Sequence, residues 1–190
     1  MFTNVPPLSK ILSKRTLIIG ELGSGKTLLT MKIVDKLIDN GYGKYITILD
    51  FAPKRKGIAG GRLIDFGFNS SKVFAYLAPE KVFTPRISAN NAEELLKLAI
   101  MNRNNMQPLI YRYLNVPTKI LVINDLTLYL HAGSLDLIDE CIMVSKTFIA
   151  NAYYGDELSF DYGTGISFRE KNMVLELIRY MDNVIVMKKR

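Results

Sequence analysis

One short stretch constrains this chain more than any other. A β-type run, Arg15-Thr16-Leu17-Ile18-Ile19, leads through Gly20-Glu21-Leu22-Gly23-Ser24-Gly25-Lys26-Thr27 into a helical apolar pattern. In that pattern Leu28, Met31, Leu37 and Ile38 share faces with Leu29, Ile33 and Val34, and Asn40-Gly41 supplies a stop. A second β run, Tyr45 to Leu49, closes on Asp50. Strand, glycine loop, helix and strand form the opening βαβ unit of a parallel α/β fold.

The loop has the spacing G-x-x-x-x-G-K-[ST] in the context that gives it meaning, between a strand and a helix. Its glycines let successive backbone N–H groups turn inward to form an anion nest, and the helix that follows directs its positive end at the same point. Gly20, Glu21, Leu22, Gly23, Ser24, Gly25, Lys26, Thr27 and Leu28 are therefore the candidate nucleotide-binding residues. Lys26 is placed to reach the β and γ phosphates of ATP or GTP, and the Thr27 hydroxyl to ligate Mg²⁺.

Lys119-Ile120-Leu121-Val122-Ile123-Asn124-Asp125 is a near-continuous apolar run, as expected of a strand buried on both faces. Its terminal carboxylate would emerge at the C-terminal edge of the sheet, where α/β folds bind ligands. Asp125 is thus the candidate second metal residue beside Thr27. Leu126 follows it, where many ATPases carry a water-polarising glutamate. Asp50, ending a strand at the same edge, is the first candidate for that base. Asn124 and Thr127 could orient a water but are poor bases. The candidate catalytic residues are accordingly Lys26, Asp50 and Asp125.

Elsewhere the patterns predict an irregular insertion at about 51–90, with β-prone pieces near 63–66, 73–77 and 82–87. A helix opens at Asn91 with Glu94 and is interrupted by Pro108. Another opens at Ser134 and carries Ile138, Cys141, Ile142, Phe148 and Ile149 on one side. Ser167-Phe168-Arg169-Glu170 reads as a capping box ahead of Met173, Val174, Leu177, Ile178 and Met181, and Val184 to Met187 reads as a last strand. The expected fold is one domain over 1–190, a three-layer α/β/α sandwich with a mainly parallel sheet.

The glycine loop with its G-x-x-x-x-G-K-[ST] spacing (the Walker A pattern), the strand closed by Asp50 and the Ile123-Asn124-Asp125 strand end resemble the P-loop NTPase superfamily, on its RecA- and AAA-like ATPase side. Leu49-Asp50-Phe51-Ala52-Pro53, Ile123-Asn124-Asp125-Leu126-Thr127 and Asn151-Ala152-Tyr153-Tyr154-Gly155 are also similar to a group of archaeal P-loop proteins without an assigned role. The resemblance implies ATP binding and an archaeal cytoplasmic setting, and it implies no substrate.

Of 190 residues, 48% are hydrophobic and 23% charged, a globular balance with no apolar run long enough to cross a bilayer. A soluble intracellular protein is expected. The formal charge of +7 favours polyanionic partners without choosing between nucleotide, nucleic acid and an anionic surface. Cys141 reads as a small core residue and His131 as a surface or turn histidine. The loop Lys54-Arg55-Lys56-Gly57 with Gly60-Gly61-Arg62 is open between a solvated loop, a phosphate or nucleic-acid contact, and an arginine finger at Arg62. Asp156, Glu157 and Asp161 lie in a lid or an ordinary connection, and Arg169 is a candidate phosphate contact. The function expected is a slow ATPase coupling nucleotide state to a conformational or assembly change. A phosphotransferase and a non-hydrolysing nucleotide-gated module are the alternatives. A nucleic-acid or protein partner and a homo-oligomer are left open.

Overall fold

The computed structural model describes residues 5–55 and 60–189. Six strands form one sheet: β1 (Arg15–Gly20), β2 (Ile46–Asp50), β3 (Ala75–Leu77), β4 (Ile120–Asn124), β5 (Thr147–Tyr153) and β6 (Asn183–Met187). Their order across the sheet is β3-β2-β4-β5-β1-β6, and each neighbouring pair is parallel. The expected three-layer architecture is present, and the sheet is wholly parallel where a mainly parallel one was expected.

Why these runs are apolar throughout follows from the two faces they bury. On β4, Ile120 and Val122 pack with Ile18 of β1 and Ile48 of β2 against Leu29, Ile33 and Leu37 of α1 (Lys26–Asp39). The alternate residues Leu121 and Ile123 pack with Leu17 and Ile19 on the other face. That face is covered by α3 (Ala92–Asn115), α5 (Leu135–Val144) and α6 (Ile166–Ile178) through Met106, Ile110, Ile138, Cys141, Val174 and Leu177. A period of two with both sets apolar is what a strand between two helical layers requires. Cys141 is a core residue, as expected.

Three elements differ from the sequence reading. The helix opened by Ser134, whose hydroxyl accepts from Asp136 N at 3.1 Å, ends at Val144. Phe148 and Ile149 belong instead to β5, an inner strand that pairs with both β1 and β4. α3 runs through Pro108. The ring removes one helical hydrogen bond, but Pro108 and Asn104, whose carbonyl is freed, are both exposed, so water can satisfy it. Ser167 and Glu170 form no capping box: α6 starts after Gly165, and the Asp161 carboxylate accepts from Ser167 N at 3.0 Å in place of a serine cap. Within 51–90, the described residues contain 3₁₀ turns at Leu63–Phe66 and Ser70–Lys72, the edge strand β3 and the single-turn α2 (Pro85–Ser88). Of the three β-prone pieces, only the middle one is a strand. A short turn, α4 (Thr127–Leu130), follows β4 directly.

Candidate functional site

At the C-terminal edge of the sheet the glycine loop joins β1 to α1. Gly20 has φ +153°, and a Cβ there would run into the Met187 carbonyl of β6. Gly25, the residue before the first turn of α1, has φ +93°, a conformation that strains any residue with a Cβ. No side chain caps α1. The N–H groups of its first turn are those a helix leaves without intrahelical partners, and Gly25, Lys26, Thr27 and Leu28 line a cavity of about 250 Å³. Leu22, Gly23 and Asp125 line the same cavity.

Lys26 folds back over the loop. Its ammonium donates to Gly20 O at 2.8 Å and Glu21 O at 2.7 Å, and lies 6.0 Å from the centre of the Tyr153 ring. Burial lowers its pKa, against the opposing pull of Asp125 and Glu21. Glu21 ties the loop to the chain beyond β5 by accepting from Asp156 N at 2.7 Å. The Ser24 hydroxyl is buried without a hydrogen-bond partner among the described residues.

Asp125 sits one residue beyond β4 with φ +59°, the left-handed region that aspartate tolerates better than most residues. Its backbone N–H donates to Asn151 Oδ1 at 2.9 Å. Asn151, on β5, also donates to Thr30 Oγ1 at 2.9 Å and to Asn124 Oδ1 at 2.7 Å, so one buried amide joins α1, β4 and β5. The Asp125 carboxylate accepts from Thr127 Oγ1 at 3.2 Å. Burial pushes its pKa up to about 6, against the attraction of the Lys26 ammonium.

Asp50 is placed differently. It is buried, and its carboxylate accepts from Ala52 N (3.2 Å), Asn124 Nδ2 (2.7 Å), Leu63 N (2.8 Å) and the Tyr76 hydroxyl. It does not line the cavity. Both oxygens are committed to donors from Ala52, Leu63, Tyr76 and Asn124, so the expected water-polarising role is corrected to a structural one. Asn124 is likewise used up, since it also donates to Gly61 O at 3.2 Å. Thr127 does line the cavity.

The secondary candidates are mostly structural. Arg62 is buried and donates to Ala52 O and Pro79 O, which excludes it as a free finger. Arg169 donates to Leu130 O and Gly133 O and so caps the turn after α4 instead of meeting phosphate. Asp156 and Glu157 pair with Lys171 and Lys189 at the surface. Of the basic loop, Lys54 and Arg55 are exposed, and Lys56 and Gly57 lie outside the described residues.

Three site residues had escaped the sequence reading. Arg86 of α2, His131 and Glu170 of α6 form a buried cluster, with Arg86 Nη1 2.6 Å from Glu170 Oε2 and His131 Nε2 3.6 Å from Glu170 Oε1. Arg86 and His131 line the cavity. His131 is 3% exposed, so it is not the surface histidine expected. A signal was available for two of them. Glu170 lies four residues before Val174 and seven before Leu177, on the apolar stripe of α6, and His131 ends the apolar run Leu128-Tyr129-Leu130.

Among the described residues no group of three or more His, Cys, Asp or Glu could cage a metal unaided, and no helix is long and apolar enough to cross a membrane.

No family model matches the chain, and no curated protein matches its sequence. Among solved structures, it is similar to a protein from Pyrococcus horikoshii OT3 described as a structural study, with a TM-score of 0.43 and 10% identity over 94% of this chain and 84% of that one. It is also similar to the Pif1 helicase from Candida albicans, with a TM-score of 0.35 and 16% identity. That match takes in 96% of this chain but 37% of the helicase. At scores below 0.5 these likenesses carry no functional weight, and the chemistry rests on the chain's own geometry.

Proposed function

We propose that the chain binds ATP with Mg²⁺ at the glycine loop and hydrolyses it slowly, using nucleotide state to drive a conformational or assembly change. The observation that carries this reading is convergence: Leu22, Gly23 and Gly25 of the glycine loop, the uncapped start of α1, Lys26, Thr27 and Asp125 all line one cavity, while Gly20, Glu21 and Ser24 do not.

The donor set suits the ligand. The N–H groups at the uncapped start of α1 and the Lys26 ammonium beside them are donors that an anion's oxygens would satisfy. Thr27 and Asp125 would hold the metal. Two protein oxygens with no acidic cage fit Mg²⁺, which keeps several waters and takes phosphate oxygens for the rest. When bound, the ion would neutralise charge between the β and γ phosphates. Lys26 would exchange its bonds to Gly20 O and Glu21 O for bonds to phosphate. Asn151 would keep Asp125 in its left-handed conformation at the strand end.

Calorimetry tests the assignment. Lys26→Ala should weaken ATP binding by about 1–3 kcal/mol, the loss of a charge-assisted contact, with the fold intact. Equal affinity in wild type and variant would refute the site. Single-turnover labelling then separates phosphate release from transfer to an acceptor and from retained ATP.

A further inference from the structure

Hydrolysis needs a group that takes a proton from the attacking water. Leu126 follows Asp125, and the four donors on Asp50 leave it no free oxygen. Resting on the ATP reading above, we infer that His131 is the base and that Glu170 is the positioning residue behind it.

Three observations converge on this pair. The His131 side chain is 1% exposed, yet among the described residues neither ring nitrogen has a hydrogen-bond partner. A buried imidazole in that state is costly, and this one forms part of the wall of the cavity that holds Lys26, Thr27 and Asp125. The two oxygens of Glu170 are also divided. Oε2 is taken by Arg86, whose guanidinium is in turn anchored to Leu158 O at 2.9 Å and stacked over Tyr153. Among the described residues Oε1 has no hydrogen-bond partner, and it stands 3.6 Å from His131 Nε2. Finally, the pair is held from separate elements that pack against each other, Glu170 from α6 and His131 from the end of α4.

A movement of less than about 1 Å would bring Nε2–H into a hydrogen bond with Oε1. That bond fixes the tautomer in which Nδ1 carries a lone pair. The arrangement is a base oriented by a carboxylate, the general logic of activated nucleophiles. Nδ1 is closed to solvent in this structure, so the step requires the imidazole to swing toward the cavity. The water oxygen then forms a bond to the γ phosphorus while its proton passes to Nδ1. The bond between the γ phosphorus and the β–γ bridging oxygen breaks, and the electron pair stays on ADP. The imidazolium formed is stabilised by Glu170, and its proton later leaves to solvent, so atoms and charge balance. Arg86 holds the Glu170 carboxylate in place by occupying its other oxygen.

The test is single-turnover hydrolysis of ATP at saturation by wild type, His131→Gly, His131→Asn, Glu170→Gln and Lys26→Ala, with ATP affinity measured in parallel. His131→Gly should lower turnover by about 10²–10⁴-fold while ATP affinity stays within about threefold, since a base acts in the transition state. Added imidazole should restore about tenfold or more of the lost rate in His131→Gly, an effect that a merely structural histidine would not give. His131→Asn, which keeps most of the volume, holds the test open if the glycine variant does not fold. Glu170→Gln should lower kcat by about 10–100-fold with KM little changed. Turnover within threefold of wild type in the histidine variants, or a loss that imidazole does not touch in a folded protein, overturns the base. If wild type turns over, Lys26→Ala does not and the histidine variants do, the nucleotide site stands and the base alone falls. If wild type and Lys26→Ala bind ATP equally, or wild type never releases phosphate, the hydrolysis reading and the base fall together.

Discussion

Asp50 and Asp125 close neighbouring parallel strands at one edge of one sheet, and the register puts Asp50 beside Asn124. From local sequence they are near equivalents. In the fold, Asp50 is buried under four hydrogen-bond donors. Among the described residues the Asp125 carboxylate has one side-chain donor, Thr127, and Asp125 lines a cavity with Lys26. A buried carboxylate whose oxygens are all satisfied has no capacity left for chemistry. One held in an unusual backbone conformation, short of partners and next to a cation retains it. The comparison predicts that Asp50 governs stability and Asp125 governs metal and turnover.

The largest expected effect is on Asp50. Asp50→Ala leaves Leu63 N–H, Ala52 N–H, the Tyr76 hydroxyl and the Asn124 amide without their acceptor in a dry region. Denaturant unfolding should record a loss on the order of 3–5 kcal/mol. The more conservative Asp50→Asn should retain single-turnover hydrolysis near the wild-type rate in whatever fraction folds. A stable Asp50→Asn protein with turnover cut a hundredfold would invert the comparison and restore Asp50 as the base.

Asp125 should respond in the opposite sense. Its carboxyl is raised to about 6 by burial, against an ordinary value of 3.8 in the unfolded chain. Between those values the folded protein binds more protons than the unfolded one, so this group's contribution to stability falls as pH rises from about 4 through about 6. Above that window the ionised group costs on the order of 1–3 kcal/mol. Asp125→Asn should therefore raise the melting temperature of nucleotide-free protein at pH 7, with the gain shrinking toward pH 4. ATP binding in EDTA should survive while the extra affinity given by Mg²⁺ disappears. A variant destabilised at pH 7, with the Mg²⁺ effect intact, would place Asp125 in the same class as Asp50.

How far this contrast could be read from sequence depends on which forces set each element. The glycine loop, α1, β2 and β4 were legible because backbone requirements and local apolar periodicity specify them: only glycine suits Gly25, and Ile120 to Ile123 are apolar on both faces. β5 was hidden because Ile138, Cys141, Ile142, Phe148 and Ile149 also fit a helical spacing, and Ser145-Lys146 breaks that pattern without glycine or proline. With β5 hidden, Asn151 had no visible role. Glu170 was misread for a related reason, since Ser-x-x-Glu is a local signal while Arg86 and His131 reach Glu170 from 84 and 39 residues away, respectively. Partners separated that widely are chosen by the fold, and local spacing cannot reveal them.

The smallest effect isolates the variable that separates the two strand-end aspartates. Asp182, just before β6, also collects several donors: Arg15 N at 2.7 Å, Nε at 3.1 Å and Nη2 at 3.2 Å. The hydrogen bonds from Arg15 draw its pKa down to about 2. Because the folded value lies below the unfolded one, the stability this group contributes is present above about 4 and is lost as pH falls toward about 2. Yet the Arg15 and Asp182 side chains are 44% and 30% exposed, so water and salt discount the pair heavily. When Asp182 is removed, water can take its place on every donor, which cannot happen around Asp50. Asp182→Ala should cost at most about 1 kcal/mol at pH 7, a fall in melting temperature of about 2–4 °C or less, and the fall should shrink further in high salt. If Asp182→Ala instead destabilised the protein as much as Asp50→Ala, the number of donors and not their burial would set the cost. The distinction drawn between Asp50 and Asp125 would then need a cause other than access to solvent.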